Sequence, residues 1–496
     1  MTISIERTRF CIQPYEKGFS PTLEKRLSLV DWNTHLLKLK VFHIDEKTKT
    51  LFVPRGYSLH DTISALNHDN IYDIQTVDRS NDYIPYRKIK IDLRRGIAPR
   101  DEHQEEFIAF LSNIDTDETQ KMLTAATGFG KTYCAIHAAA NLGLPVMIIT
   151  GKSALITQWH DVILQYTYCT ENDIRIIKGR PSLEKTLKDN KHYKKFYICS
   201  TETIAIAAEE GIFDTLLKRT GVGIKIFDEA HELMSATVFI DLNSNVYLNW
   251  WLTATPLRSD TKEAKLYTDI IKTIPQIGGY TVFMDKFVHV KKIFINTYPN
   301  SWDMRKAKTR TGFSSLIYEK FIFRNPTRIQ YFANIVYYFT QKLLQTDPDA
   351  KILVILASNN SITTLASKIE TMAHTKVGRF NSLTKNMKEK QKELDHNIIF
   401  STIKSAGAGL DISQLKMIIN FVSFRSPIIT LQLFGRLRFI KEKALFFIDI
   451  VDEGFADCLR LSNVRDGILR NKAKSLTTMN MTMKDAEQKA KGVDII

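Results

Sequence analysis

Two short stretches carry side chains whose types and spacing suit phosphate chemistry. The first, Ala125-Ala126-Thr127-Gly128-Phe129-Gly130-Lys131-Thr132, reads as a phosphate-binding loop with alanine in place of the usual first glycine. In such a loop Gly128 and Gly130 let backbone N–H groups turn inward around a β-phosphate. Lys131 reaches the β and γ oxygens, and the Thr132 hydroxyl ligates Mg²⁺. A helix that starts there points the positive end of its dipole at the anion. The second stretch, Asp228-Glu229-Ala230-His231, begins 97 residues after Lys131. Two adjacent carboxylates at a strand end are what metal-assisted phosphoryl transfer needs: Asp228 holds Mg²⁺, usually through water, and Glu229 polarises the attacking water. A lone G-K-T or a lone acidic turn is commonplace; here each gives the other its meaning.

These groups work only if strands deliver them. Met122-Leu123-Thr124 supplies a short strand before the loop and Tyr133–Ala140 a helix after it, while Ile224–Phe227 runs directly into Asp228. Further apolar runs at Val146–Ile149, Leu248–Leu252, Ile352–Leu356, Asn397–Phe400, Met417–Val422 and Leu445–Val451 read as buried strands between helical patterns. Such alternation implies βαβ units in parallel sheets, which bind ligands at the carboxyl ends of their strands. Two α/β lobes are expected, at about 96–275 and 331–478, joined by a basic linker at 276–330. Residues 1–95 are expected to form a small separate α+β domain, with Leu36–Phe42 and Thr50–Pro54 as paired strands and Leu59–Leu66 as a helix. Residues 479–496 read as a polar, frayed tail.

Composition narrows the class. The 496 residues are 44% hydrophobic, with 21 Gly and 13 Pro, which excludes a fibrous or disordered chain. Five scattered cysteines, Cys11, Cys134, Cys169, Cys199 and Cys458, have neither disulfide-framework nor zinc spacing, and a reducing compartment fits them best. No apolar run approaches the roughly 20 residues of a membrane span, and the charged start MTISIERTRF is unlike a signal peptide. The expectation is a soluble, intracellular protein. Lys and Arg number 69 against 54 Asp and Glu, a net charge of +15, and the usual acidic partner for such an excess is nucleic acid. The excess is uneven. Residues 84–100 hold six basic and one acidic side chain, and 286–328 hold ten and two, whereas 101–285 hold 18 and 24. Positive charge thus borders the first lobe, as contacts to a phosphate backbone would require, although a charge run is also what a solvated linker looks like.

At this point the chain resembles the superfamily 2 helicases of the DEAH-box type, from about Pro99 to Val451, and the resemblance implies two tandem RecA-like lobes. In that family a glutamine that reads adenine precedes the phosphate loop; Pro99-Arg100-Asp101-Glu102-His103-Gln104 makes Gln104 the candidate. Ile149–Trp159, with Lys152, and Ser200-Thr201-Glu202-Thr203, with Thr201, resemble the family's grips on strand phosphates. Thr253-Ala254-Thr255-Pro256 matches the motif that couples the γ-phosphate to the nucleic-acid groove, giving Thr253 and Thr255, with His231, coupling roles. Ser401-Thr402 and Gly407-Ala408-Gly409-Leu410-Asp411 resemble the motif that touches both nucleotide and nucleic acid; Gly409 and Asp411 fall on the nucleotide, Thr402 on the strand. Gln432–Arg438 resembles the arginine-finger motif, in which guanidinium groups of one lobe reach the γ-phosphate held by the other. The family places its second arginine three residues after the first, where this chain has Phe439; Arg438 comes one residue early, so Arg436 and Arg438 both remain candidates for the finger.

The layout, a small N-terminal domain before two lobes, is similar to the phage branch-migration helicases of the UvsW type and, more distantly, to the xeroderma group B type. That similarity implies an ATP- and Mg²⁺-dependent DNA helicase or translocase acting on forks and Holliday junctions in replication and recombination, inside an infected bacterial host. Single-strand-binding or recombination proteins are the protein partners such a role implies; a membrane is not implied. An RNA helicase, or a basic annealing protein with weak ATPase, is the alternative reading. Lys320, Arg324 and Arg328 are the expected DNA-phosphate contacts of the basic linker, and its aromatics Trp302, Phe313, Tyr318, Phe321 and Phe323 could either stack on bases or pack in a core.

Overall fold

The structure is a computed structural model that describes residues 1–30, 37–114, 118–125, 129–189, 192–230, 233–253, 261–278, 287–309, 312–381, 387–407, 412–437 and 443–492. The chain divides into two compact units, Met1–Phe283 and Met284–Ile496. Each is built on a seven-stranded sheet whose pairings are all parallel.

In the first unit the strands lie in the order Ile174–Ile177, Phe196–Ser200, Val146–Thr150, Ile224–Asp228, Leu248–Thr253, Gln120–Thr124 and Gln276–Gly278. The central strands are buried along their whole length, which is why they read as continuous apolar runs rather than as alternating ones. The N-terminal residues form a separate five-stranded sheet in the order His43–Asp45, Thr50–Pro54, Arg9–Gln13, Thr2–Ile5, Gln75–Asp78. Two expectations change here. Thr50–Pro54 pairs with Arg9–Gln13 and His43–Asp45, not with Leu37–Lys40, which pairs with Ser28–Val30. The N-terminal sheet also does not stand apart. Ile3, Phe10, Leu51 and Val53 share one core with Met122, Met147, Phe227, Val238 and Trp251 of the lobe.

Polar contacts reinforce this shared core. The Thr8 hydroxyl donates to the Ser244 carbonyl, Arg9 to the Leu242 carbonyl, and Thr119 to the Arg7 carbonyl at 2.7 Å. Behind them lies a fully buried cluster at the amino ends of the strands. Lys225 donates to Asp241 at 2.7 Å, Asn249 donates to the same carboxylate oxygen at 2.7 Å, and Gln120 bridges Asp241 at 3.3 Å to the Thr8 carbonyl at 3.0 Å.

The second unit orders its strands Gly378–Phe380, Ile398–Thr402, Lys351–Leu356, Leu415–Asn420, Leu445–Asp452, Val288–Ile295, Ala473–Asn480. The supposed linker therefore contributes an internal strand. Its Lys292, counted as linker charge, is 2% exposed and paired with Asp466 at 2.6 Å. The expected frayed tail is likewise structured. Ala473–Asn480 is the edge strand, and helix Met483–Ala490 begins with a capping box from Thr482 and Asp485 and packs on helix Pro326–Thr346.

The helix Ser315–Ile322 turns its own aromatics inward. Tyr318 is buried and donates to Asp452 at 3.1 Å, and Phe313, Phe321 and Phe323 pack against the same core, as the core reading of that spacing has it. Next to Tyr318, the buried Glu319 carboxylate accepts the Ala357 and Ser358 N–H groups at the start of helix Asn359–Ala373. Burial nonetheless pushes its pKa from 4.5 to about 7. A carboxyl raised in the folded state stabilises it fully below pH 4.5, and that contribution is lost as pH rises through 7. Wild-type protein should therefore lose on the order of 3 kcal/mol from this group between those limits. Thermal unfolding of Glu319→Gln across pH 4.5–8 should show a correspondingly flatter profile; an unchanged profile would contradict it.

Candidate active site

The carboxyl ends of the first unit's central strands meet at one level. Asp228 is in register with Thr150 on one side and Leu252 on the other, and Thr253 with Thr124. From this edge the chain turns into the phosphate loop, and the Ala125 N–H donates to the Thr253 carbonyl at 3.2 Å. Among the described loop residues, Gly130 has φ +103°, a conformation that favours glycine, and caps helix Lys131–Leu142; a Cβ there would lie 2.6 Å from the Gln104 amide nitrogen and would displace that side chain. Lys131 is buried and donates to the Ala125 carbonyl at 2.8 Å, folded back across the loop whose phosphate it is expected to meet. Thr132 is the second residue of the helix.

Gln104 is placed against this loop by its helix Glu102–Ser112, which Asp101 caps. Its amide nitrogen donates to the Phe129 carbonyl at 2.8 Å, and its amide oxygen accepts the Arg100 N–H at 2.9 Å. Both ends of the amide thus hold backbone, and each keeps one further position, the second N–H and the second lone pair of the oxygen, with which a base could be read.

Asp228 is buried at the end of its strand. One oxygen accepts the Trp159 indole N–H at 2.7 Å and the other the Glu229 N–H at 3.0 Å. Burial, and then the neighbouring Glu229 carboxylate, push Asp228 up to about 6, while Trp159 and Lys131 pull it down. The Trp159 contact was invisible in the sequence, because its partner lies 69 residues away. Glu229 sits in the left-handed region at φ +50°, a conformation that costs a non-glycine residue about 1–3 kcal/mol and recurs at working sites. Among the described residues no three His, Cys, Asp or Glu gather as a metal cage. Mg²⁺ takes one or two protein ligands beside substrate phosphates, and the buried Asp228 carboxylate at the strand end is a donor of that kind.

Lys152 stands at the N-terminus of helix Ser153–Tyr166 and Thr201 at that of helix Thr201–Glu209, each following a strand that ends at this same edge. Thr201 is buried. In the second unit Thr402 ends its strand and caps the next helix by accepting the Ser405 N–H at 3.2 Å. Arg436 follows helix Pro427–Phe434. Lys320 and Arg324 are exposed. Arg328, also expected to contact phosphate, is partly exposed, and its guanidinium donates to the carbonyls of Thr297 at 3.0 Å and Tyr298 at 3.4 Å and lies over the Phe321 ring at 3.6 Å. Ala126, Thr127, Gly128, His231, Thr255, Gly409, Asp411 and Arg438 lie outside the described residues.

The fold defines a class: two RecA-like lobes, the first with the Gly130-capped helix start and a carboxylate pair at one sheet edge. Residues 97–258 match the family described as type III restriction enzyme, res subunit. The "Putative DNA 3'-5' helicase Rad25" of Haloarcula marismortui is 26% identical over 211 residues, 42% of this chain and 31% of that protein. The "Putative helicase 055L" of Frog virus 3 is 28% identical over 179 residues, 35% of this chain and 37% of that one. The chain thus spans about a third of the length of these relatives. Among solved structures, S. cerevisiae Dbp5 bound to RNA and ADP BeF3 aligns with a TM-score of 0.53 at 13% identity, covering 79% of this chain and 92% of that one. A fragment of a putative HsdR subunit of a type I restriction enzyme from Vibrio vulnificus aligns at 0.52 and 15%, covering 81% and 70%. The family match and the helicase relatives support a superfamily 2 helicase, and the likeness to the solved structures shows the fold alone.

Proposed function

We propose that this chain is an ATP-dependent DNA helicase or translocase of the DEAH-box, UvsW-like type that remodels forks and Holliday junctions in replication and recombination. The observation that carries the reading is the convergence of Gln104, Lys131, Asp228, Glu229 and Thr253 at one sheet edge of a two-lobed chain. Its support for DNA rather than RNA is the wording of the relatives' names.

In this reading Lys131 leaves the Ala125 carbonyl for the β/γ-phosphate oxygens, and Gly130 keeps the loop backbone close to the phosphates. Thr132 and Asp228 would hold Mg²⁺, which when bound neutralises developing phosphate charge. Glu229, held in place by its strained backbone, takes the proton of the attacking water. Trp159 fixes the rotamer of Asp228. Thr253, bonded through its carbonyl to the loop, is placed to relay the loop's state along the strand end. Arg436 and Arg438 supply the finger charge, Gly409 and Asp411 touch the nucleotide, and Lys152, Thr201, Thr402, Lys320 and Arg324 hold the strand.

The test is stimulation of ATP hydrolysis by a fork, a four-way junction, a flush duplex and an RNA duplex of equal length. Branched DNA should stimulate most. Equal or greater stimulation by RNA would transfer the substrate assignment to RNA, and no stimulation by any of them would remove the motor function.

A further inference from the structure

Residues 84–100, the first basic border, do not run along the motif-bearing edge. The Ile84 N–H donates to the Asn245 carbonyl at 2.8 Å, Arg87 to Gly221 at 3.0 Å and Ile89 to Gly143 at 2.9 Å. Asn245, Gly221 and Gly143 each lie just before one of three adjacent strands, beginning at Leu248, Ile224 and Val146. The segment is therefore a strap across the amino-terminal edge of the sheet. Five-residue strands put it roughly 16 Å from the phosphate loop's edge.

The strap presents Arg87, Lys88, Lys90, Arg94 and Arg95 to solvent. Two large aromatics stand exposed beside it. Tyr193, 41% exposed, has the Arg87 guanidinium 3.3 Å from its ring centroid; Tyr168, 54% exposed, has Arg94 at 5.7 Å, and its hydroxyl accepts the Arg95 N–H at 3.4 Å. Among the acids nearby, Asp189 pairs with Arg175 at 2.7 Å and Asp173 with Lys195 at 3.5 Å, while Asp92 holds Lys90 at 2.9 Å in an exposed bridge that a strand phosphate would replace. An arginine needs no exposed tyrosine to remain solvated. Basic side chains interleaved with exposed rings are instead the combination that binds a single strand, phosphates to the cations and bases to the rings.

We propose that this strap is a second nucleic-acid contact, which binds one single-stranded segment through Lys88, Lys90 and Arg95 with Tyr168 and Tyr193 as stacking platforms. It rests on the reading that the partner is nucleic acid, and it gives a branched substrate a hold on the edge opposite to hydrolysis.

The probe is a fluorescein-labelled 20-mer of thymidylate, titrated with the full chain at 50–200 mM salt. Lys88→Gln/Lys90→Gln/Arg95→Gln should reduce the slope of log affinity against log salt by about 2 and weaken binding on the order of 10- to 100-fold near 100 mM. A control that removes equal charge elsewhere, Lys17→Gln/Lys25→Gln/Lys47→Gln, should leave the slope within about 0.5 of wild type. Tyr168→Ala/Tyr193→Ala should weaken binding at an unchanged slope, and hydrolysis without nucleic acid should stay at the wild-type rate in all three. An unchanged slope in the strap variant, an equal loss in the control, or a loss seen only with duplex would overturn the proposal. Failure of the motor reading is read separately, as stimulated hydrolysis that survives Lys131→Ala.

Discussion

Glu229→Gln is expected to lower DNA-stimulated ATP turnover by about 10²–10⁴-fold while leaving nucleotide affinity within a few-fold of wild type. The substitution keeps shape and hydrogen-bonding reach and removes only the capacity to accept a proton. Because Glu229 follows the buried Asp228 in a left-handed backbone conformation, its carboxylate is aimed by the main chain rather than by an adjustable rotamer alone. The amide should inherit the same position. Lys131→Ala should differ in kind: with the charge that meets the β/γ-phosphates gone, affinity and turnover fall together. Steady-state turnover alongside equilibrium binding of a fluorescent ATP analogue separates the two. Retention of stimulated turnover by Glu229→Gln would mean that the hydrolytic base lies elsewhere.

The largest expected effect on stability comes from the other end of the same strand. Lys225 is fully buried, and its ammonium is held by Asp241, which also receives Asn249 and Gln120. Burial drives Lys225 downward and Asp241 upward, each toward its neutral form, and the pairing opposes both. Lys225→Met leaves a buried carboxylate without its cation, a change that costs about 3–5 kcal/mol. Thermal unfolding should register it as a large drop in Tm. Lys225→Met/Asp241→Leu should recover much of the loss, since replacing both members of a buried pair by apolar groups is often close to neutral. A Tm in the single variant equal to wild type would show that the cluster contributes nothing. Hydrogen exchange should further report faster exchange across Arg9–Gln13, because Gln120 joins this cluster to the Thr8 carbonyl.

The central strands of both sheets were legible because their side chains are buried on both faces, so Val146–Ile149 and Ile224–Phe227 show as unbroken apolar runs. The same rule explains the misses. Val288–Ile295 carries Lys291 and Lys292, and in one dimension those charges look like linker; Lys292 is neutralised by Asp466, 174 residues away. Ala473–Asn480 is an edge strand with a mostly exposed pattern and therefore little apolar signal. The phosphate loop and carboxylate pair were legible because each is local. Trp159, which orients Asp228, and the Gln104 bond to Phe129 were not, since each joins positions that only the fold brings together. Charge counting located the basic segment 84–100 but not the edge of the sheet on which it lies. That is fixed by three backbone hydrogen bonds that any sequence with free N–H groups could make.

The core that the N-terminal sheet shares with the first lobe also has a mechanical meaning. Two bodies held by interleaved apolar side chains and by the bonds of Arg7, Thr8 and Arg9 lie in one compact unit, so the sheet is expected to move with the lobe. A dye on the exposed turn near Lys17 should therefore serve as a pointer attached to the first lobe. It reports that lobe's movement from a place far in sequence from the residues that do the chemistry.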